Sequence, residues 1–189
     1  MNLQLMKTKL GNLNKLLEIY TSKFLLSILI LVIFLISVAC SETTSTSYPF
    51  ELTLYETKDY SDGQKYVFNP EDKKPTVVNF WFPSCPPCIS EMPDIDSIYL
   101  EYKNHIDVIG IQLIGIDSVS DGKRFVSEGE FSYAIGGDLE GDIVVRYDVA
   151  LFPTTLFIDQ TGTVVKSWQG IITKPEMEKI INSMINVED

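Results

Sequence analysis

Some segments of the chain alternate hydrophobic and polar residues, and others are apolar throughout. Residues 50–55 and 64–68 alternate one by one, as half-buried strands do, and Asp62-Gly63 between them is a turn sequence. Residues 76–82 and 107–114 are instead continuous apolar runs rich in β-branched and aromatic side chains, which is typical of strands buried on both faces. The pattern therefore predicts an N-terminal β-hairpin followed by two central strands.

Helical signals lie between and after these strands. Pro86 and Pro87 predict the start of a helix, because N–H groups in a first helical turn have no intrahelical partner, and Pro93 is expected to bend this helix before it ends near Tyr102. Weaker patterns predict helices over residues 119–127, 141–147 and 174–186, a short strand over 133–136, and an antiparallel strand pair over 154–159 and 163–168. This order predicts one α/β domain with a mixed sheet and helices on its faces.

The first forty residues have a different pattern. Residues 24–40 (FLLSILILVIFLISVAC) carry no charge, and their length lies between that of a signal-peptide core and that of a minimal membrane span. The lysines before this run predict a cytoplasmic N-terminus and an exported body. A buried core helix of a soluble protein is disfavoured, because no polar face is present. We therefore expect residues 1–40 to be a signal or membrane-anchor segment.

The end of this run, Ser37-Val38-Ala39-Cys40, resembles a bacterial lipobox, with Ser37 where that motif usually has leucine. The resemblance implies that Cys40 is lipidated and becomes the mature N-terminus. An uncleaved anchor helix is the alternative, and either one tethers the chain to a membrane. Residues 41–48 are mostly serine and threonine, which predicts a flexible linker before a folded domain over residues 49–189.

The overall composition excludes some classes of function. The 189 residues include 15 Lys+Arg and 26 Asp+Glu, which gives a net charge of −11, and the acidic excess lies after residue 40. We expect no nucleic-acid partner, because binding to phosphate backbones needs clustered lysine and arginine. The chain has only three cysteines, too few for a scaffold held together by disulfides.

Two of these cysteines form the sequence Cys85-Pro86-Pro87-Cys88 between a predicted buried strand and the helix that follows it. The N-terminus of a helix favours an anion, which stabilises a thiolate at Cys85. Cys88 lies one turn further on and is expected to be the more buried sulfur. This placement predicts dithiol–disulfide exchange, in which Cys85 attacks a partner disulfide and Cys88 resolves the mixed disulfide. Pro86 and Pro87 stiffen the loop.

Other uses of the cysteine pair are less consistent with the sequence. Structural zinc needs four ligands, and the chain adds only one histidine, His105, which we expect to be exposed at the end of a helix. An inert structural disulfide across one helical turn would restrain little of the chain. We therefore predict no metal site and a redox-active pair.

The segments VVNFW (77–81), CPPC (85–88) and EMP (91–93), together with FPTTLFID (152–159), resemble the thioredoxin superfamily, in particular its membrane-tethered TlpA/ResA type. The resemblance implies a thioredoxin fold with an N-terminal hairpin extension and an internal strand–helix insertion. It also implies that Phe152 and Pro153 lie opposite the cysteines, with Pro153 in a cis peptide that leaves the edge open to a substrate chain. A trans proline that merely starts an edge strand is the alternative.

The same resemblance gives roles to residues around the cysteines. It places an acidic residue at Glu91, where a carboxylate could exchange a proton with the resolving thiol; an ordinary first-turn glutamate is the alternative. Asn79 stands where cytoplasmic thioredoxins have a buried aspartate, which shifts proton transfer towards Glu91. We expect Trp81 to pack beside the cysteine loop, although core packing alone would also explain it. Ser84 replaces the family's usual tryptophan and is expected to leave Cys85 more exposed.

Together these features predict a membrane-anchored thiol-disulfide oxidoreductase that faces the periplasm or the cell surface and needs no organic cofactor or metal. The family resemblance implies protein disulfides as substrates, a membrane electron donor, and a task such as cytochrome c maturation. One alternative is a peroxiredoxin-like thiol peroxidase, which would need a peroxidatic cysteine with an upstream proline and threonine. A non-catalytic surface lipoprotein that binds partners is the other.

Overall fold

The computed structural model describes residues 23–24 and 45–185. Its strands, in chain order, are β1 Ser45–Thr46, β2 Phe50–Leu54, β3 Lys65–Phe68, β4 Thr76–Trp81, β5 Asp107–Leu113, β6 Ala134–Asp138, β7 Thr154–Ile158 and β8 Thr163–Gln169. The helices from residue 45 onward are α1 Pro86–Tyr102, α2 Val119–Gly129, α3 Asp142–Arg146 and α4 Lys174–Ile185, and a short 3-10 helix spans Pro70–Asp72. Each predicted element between residues 50 and 185 is present, with ends shifted by one or two residues.

The strands form one mixed sheet in the order β1-β8-β7-β4-β5-β6-β2-β3. β4, β5 and β6 are parallel neighbours, whereas β7 runs antiparallel to β4 and pairs with β8. The predicted hairpin is confirmed, because β2 and β3 pair antiparallel and β2 then extends the sheet beyond β6. The prediction of an α/β domain with a mixed sheet is therefore confirmed.

Strand β4 separates two hydrophobic clusters, because all six of its residues are buried and their side chains alternate between the faces of the sheet. Val77 and Trp81 face the cluster that contains both cysteines, and Val78 and Phe80 face the other. The first cluster includes residues of α1 and α4, and the second includes residues of the β2–β3 hairpin and α3. The cysteine loop is thereby fixed on a strand that is packed from both sides.

Residues 45–47, predicted to be part of a flexible linker, belong to the sheet. Ser45 and Thr46 form β1 against Val164 and Thr163, and the buried Ser47 hydroxyl donates a hydrogen bond to the Gly162 carbonyl at 2.6 Å. The prediction of a flexible linker is therefore wrong for residues 45–47. An unpaired sheet edge offers backbone hydrogen bonds to any extended segment beside it, and a hydroxyl-rich segment can accept them despite its lack of apolar side chains.

Along the direction of the strands, β1 pairs at one end of the sheet and the cysteines lie at the other. β4 runs towards Cys85 and β7 starts after Pro153, so the turn between β7 and β8, where β1 pairs, is at the opposite end. We call the end at which β4 finishes and β7 begins the dithiol end. Cys40 and the rest of the predicted anchor after Phe24 lie outside the described residues. Within the described residues, no helix is both long and apolar enough to cross a membrane.

Candidate active site

The two cysteines lie where the sequence places them, at the junction of β4 and α1. The Cys85 N–H donates to the Phe82 carbonyl at 3.1 Å, which closes a tight turn after the strand. Cys85 is the N-cap of α1 and has an extended backbone, and Pro86 and Pro87 form the first helical positions. The Cys85 Sγ accepts the Cys88 N–H at 3.3 Å. This is the donor expected to stabilise a thiolate at a helix N-terminus.

Cys85 and Cys88 form a disulfide with a Cα–Cα separation of 5.3 Å, inside the usual range for disulfides. Cys88 is fully buried, and Cys85 is 4 % exposed. The order of burial agrees with the prediction that Cys88 is the inner sulfur. The expected exposure of Cys85 beside Ser84 is not found, because Cys85 belongs to the buried cluster that also contains Trp81.

Trp81 is fully buried on β4, and its ring lies 5.4 Å from the ring of Phe125 on α2. It shares a hydrophobic cluster with Cys85 and Cys88, so it packs against the same core as the cysteine loop. The prediction that this ring packs beside the loop agrees with the structure. The contact with α2 shows that the ring also fills the core.

The cis-proline loop lies at the same end of the sheet. The peptide between Phe152 and Pro153 is cis, as predicted. The Phe152 ring lies 5.4 Å from the ring of Phe82, the residue that accepts the hydrogen bond from Cys85. The Pro153 carbonyl accepts the Gly170 N–H at 2.8 Å, which joins the start of β7 to the end of β8. The two segments that the sequence pattern selected therefore meet beside the dithiol.

Glu91 is a buried carboxylate on α1, three residues after Cys88, with 1 % of its surface exposed. Its Oε1 accepts the Asn79 amide N–H at 2.7 Å, and its Oε2 accepts the Ile172 backbone N–H at 2.9 Å. The same Asn79 amide also donates to the Thr155 hydroxyl at 3.0 Å. Glu91 is therefore held by three separate parts of the chain: its own helix, strand β4 and the segment that leads into α4.

Burial raises the pKa of Glu91 from its ordinary 4.5 to about 7, although the hydrogen bonds from Ile172 and Asn79 oppose the rise. The nearby Asp94 carboxylate adds to the increase. An ordinary first-turn glutamate is excluded, because Glu91 lies in the second turn of α1 and is enclosed. At neutral pH this group can both release and take up a proton, which is the requirement for acid–base work.

Sequence reasoning missed a second carboxylate at the dithiol end, that of Asp117. Its Oδ2 accepts both the Ser84 backbone N–H at 2.9 Å and the Ser84 hydroxyl at 2.7 Å. Ser84 and Asp117 are far apart in sequence, but each follows a strand of the parallel pair β4 and β5, whose C-terminal ends meet at one edge. That adjacency was available from the predicted strands, whereas the choice of Asp117 within its loop was not.

His105 is exposed in the turn after α1, as predicted. Within residues 45–185, no group of three or more histidine, cysteine or acidic side chains is placed to hold a metal ion. The predicted lipidation site, Cys40, lies outside the described residues. The structure thus brings Cys85, Cys88, Glu91, Trp81, Phe152 and Pro153 to one end of one sheet.

Comparison with known proteins gives consistent results. The sequence model of the AhpC/TSA family matches residues 49–167. Thiol-disulfide oxidoreductase ResA of Oceanobacillus iheyensis is 30% identical over 112 residues, which cover 59% of this chain and 57% of that protein. The ResA protein of Bacillus thuringiensis subsp. konkukian is 29% identical over 126 residues, covering 65% of this chain and 70% of the relative.

Among solved structures, the pneumococcal exposed lipoprotein thioredoxin Etrx1 of Streptococcus pneumoniae superposes with a TM-score of 0.64 and 25% identity. The match covers 72% of this chain and 99% of that one. The predicted family, fold and enzyme class are confirmed by these comparisons.

Proposed function

The chain belongs to the AhpC/TSA family, and we propose that it is a membrane-tethered, extracytoplasmic thiol-disulfide oxidoreductase that reduces disulfides in other proteins. The observation that carries the proposal is the Cys85–Cys88 disulfide at the start of α1, on the same helix as the buried carboxylate of Glu91. A purely structural disulfide would not require the buried acid.

Exchange begins from the reduced pair. The Cys85 thiolate attacks one sulfur of the partner's disulfide, forms a mixed disulfide and releases the partner's other sulfur as a thiolate. Cys88 then attacks the Cys85 sulfur, which breaks the mixed disulfide and restores the Cys85–Cys88 bond. Two electrons pass from this pair to the partner, and two protons follow them to the partner's thiols. No organic cofactor or metal takes part.

Glu91 supplies a place for one of these protons. Cys88 must lose its proton before it attacks, and it is fully buried, so water does not reach it directly. Glu91 lies one turn further along the same helix, near the same face. Its pKa of about 7 lets the ionised carboxylate accept that proton at neutral pH and release it afterwards. The hydrogen bonds from Asn79 and Ile172 hold the carboxylate in one orientation during this cycle.

The charges around the dithiol favour the reducing direction. The Asp117 carboxylate binds Ser84, and in the described part of the chain no lysine or arginine makes an ion pair or hydrogen bond with residues 82–91. Negative charge disfavours a thiolate and therefore the reduced state, so the disulfide form is stabilised and the dithiol gives up its electrons readily. We propose that a membrane-bound dithiol donor re-reduces the pair and that the task resembles cytochrome c maturation.

Tethering is proposed from the sequence of residues 1–40 and is supported by the likeness to Etrx1, which is described as an exposed lipoprotein. The intact mass of the membrane-extracted protein distinguishes lipidated Cys40 from an uncleaved anchor.

The experiment that tests the proposal compares three serine variants in insulin-disulfide reduction. Cys85→Ser removes the nucleophile and should abolish reduction, and Cys88→Ser should accumulate mixed disulfides through Cys85. Cys40→Ser, assayed in detergent, is the matched control that removes the remaining cysteine and should keep full activity. Full activity of the Cys85→Ser protein would refute the proposal.

Two other measurements test the alternative functions. Rapid peroxide consumption by the reduced protein would favour a thiol peroxidase. Stoichiometric zinc with an unreactive Cys85 would favour a binding module.

A further inference from the structure

The residue just before the attacking cysteine is bound by a carboxylate from another loop. Ser84 donates its backbone N–H and its hydroxyl to the same oxygen of Asp117, at 2.9 and 2.7 Å. Two donors on one oxygen fix both the position of Ser84 and the orientation of the carboxylate, because hydrogen bonds to a charged acceptor are the stronger kind. Nothing else in the described chain contacts Ser84 through a side-chain hydrogen bond.

The loop that carries Asp117 is itself fastened. The buried Gln112 donates its amide N–H to the Ser118 carbonyl at 3.1 Å and accepts the Tyr55 hydroxyl at 2.7 Å. Ser118 then caps α2 through a reciprocal pair of hydrogen bonds with Asp121. Asp117 is therefore held between a buried amide and a capped helix, so it presents its charge from a fixed point.

The position of this charge opposes the start of α1. The helix N-terminus and the Cys88 N–H favour a thiolate at Cys85. The Asp117 carboxylate, which binds the residue before Cys85, disfavours the same thiolate. Asp117 binds Ser84 and Glu91 binds Asn79 on the strand that leads to Cys85, and no described lysine or arginine makes an ion pair or hydrogen bond with residues 82–91.

We propose that Asp117 is a positioning residue of the reaction: it holds the cysteine loop through Ser84, and its charge keeps the Cys85–Cys88 pair reducing. The inference rests on the proposed function, since it explains the direction of exchange rather than its existence. Removal of the charge should stabilise the reduced pair, and removal of the hydroxyl contact alone should not.

The test measures the equilibrium of the Cys85–Cys88 pair with glutathione, and the pKa of the Cys85 thiol by thiolate absorbance, in the full-length protein. Asp117→Asn keeps an oxygen that can accept the Ser84 N–H but removes the charge. It should shift the equilibrium towards the dithiol by about threefold or more and lower the pKa of the Cys85 thiol. Ser84→Ala keeps the backbone bond and the charge and should leave the equilibrium within about twofold of the parent.

Glu128→Gln is the matched control, because it removes an exposed carboxylate from the adjacent helix α2 and should change neither quantity. An Asp117→Asn protein with the parent's equilibrium and thiol pKa would overturn the proposal. Equal shifts in Asp117→Asn and Ser84→Ala would also overturn it, because they would indicate loop disorder instead of charge. Failure of the parent protein to reduce insulin would refute the proposed function, an outcome that is distinct from both.

Discussion

Replacing Glu91 by glutamine should remove the pH dependence that this residue gives to the stability of the oxidised protein. The folded protein holds the Glu91 proton up to about pH 7, whereas an unfolded chain releases it near 4.5. Between these values the unfolded state binds fewer protons than the folded state. Stability therefore falls as the pH rises through this interval, and the loss is complete above the folded pKa.

The size of the effect follows from the same shift. A tenfold change in proton affinity is worth about 1.4 kcal/mol, so a pKa raised from 4.5 to about 7 makes the ionised carboxylate cost the fold about 3 kcal/mol. Glutamine carries no charge and avoids that cost. It has one acceptor for the two donors, Asn79 and Ile172, so it loses one hydrogen bond at every pH, at a cost of about 1 kcal/mol.

The assay is urea unfolding of the oxidised parent and Glu91→Gln proteins between about pH 4 and about pH 8. The variant should be the less stable protein by about 1 kcal/mol at the acidic end and the more stable one by about 2 kcal/mol at the alkaline end. Glu128→Gln is the control for loss of a negative charge and should follow the parent curve. Parallel curves for the parent and Glu91→Gln would refute the conclusion that burial raises the pKa of Glu91.

Two further predictions concern the packing that holds Asp117. Gly122→Ala places a methyl group against the buried amide of Gln112. We expect the free energy of unfolding in urea to fall by about 1–3 kcal/mol, despite the higher helix propensity of alanine. A more stable variant would contradict this. Tyr55→Phe leaves the Gln112 oxygen without its hydroxyl donor and should cost about 1–2 kcal/mol by the same measurement, with Tyr48→Phe as an exposed control. Equal stability of the two tyrosine variants would show that the buried bond contributes nothing.

The sequence was sufficient for the elements that carry the cysteines. β4 is apolar along its whole length, and two prolines mark the start of α1, so both strand and helix could be placed within one or two residues. The cis state of Pro153 was predicted from the family resemblance, and periodicity alone would not have indicated it. Strong local patterns and a specific motif therefore account for the dithiol end.

Contacts between distant segments could not be predicted in this way. The Ile172 N–H reaches Glu91 from the segment after β8, and Asp117 reaches Ser84 from the loop after β5. Each contact depends on loop conformation, which hydrophobic periodicity does not encode. The pairing of Ser45 and Thr46 with β8 was missed for a related reason: β1 is held by backbone hydrogen bonds, and its side chains are exposed.

The central claim is that Cys85 and Cys88 form a reducing dithiol, and the reduction potential of this pair against glutathione tests it most directly. The negative charge of Asp117 beside the cysteine loop predicts a potential close to that of thioredoxin, about −270 mV. A potential close to that of DsbA, about −120 mV, would contradict the claim and assign the protein to oxidation of its partners.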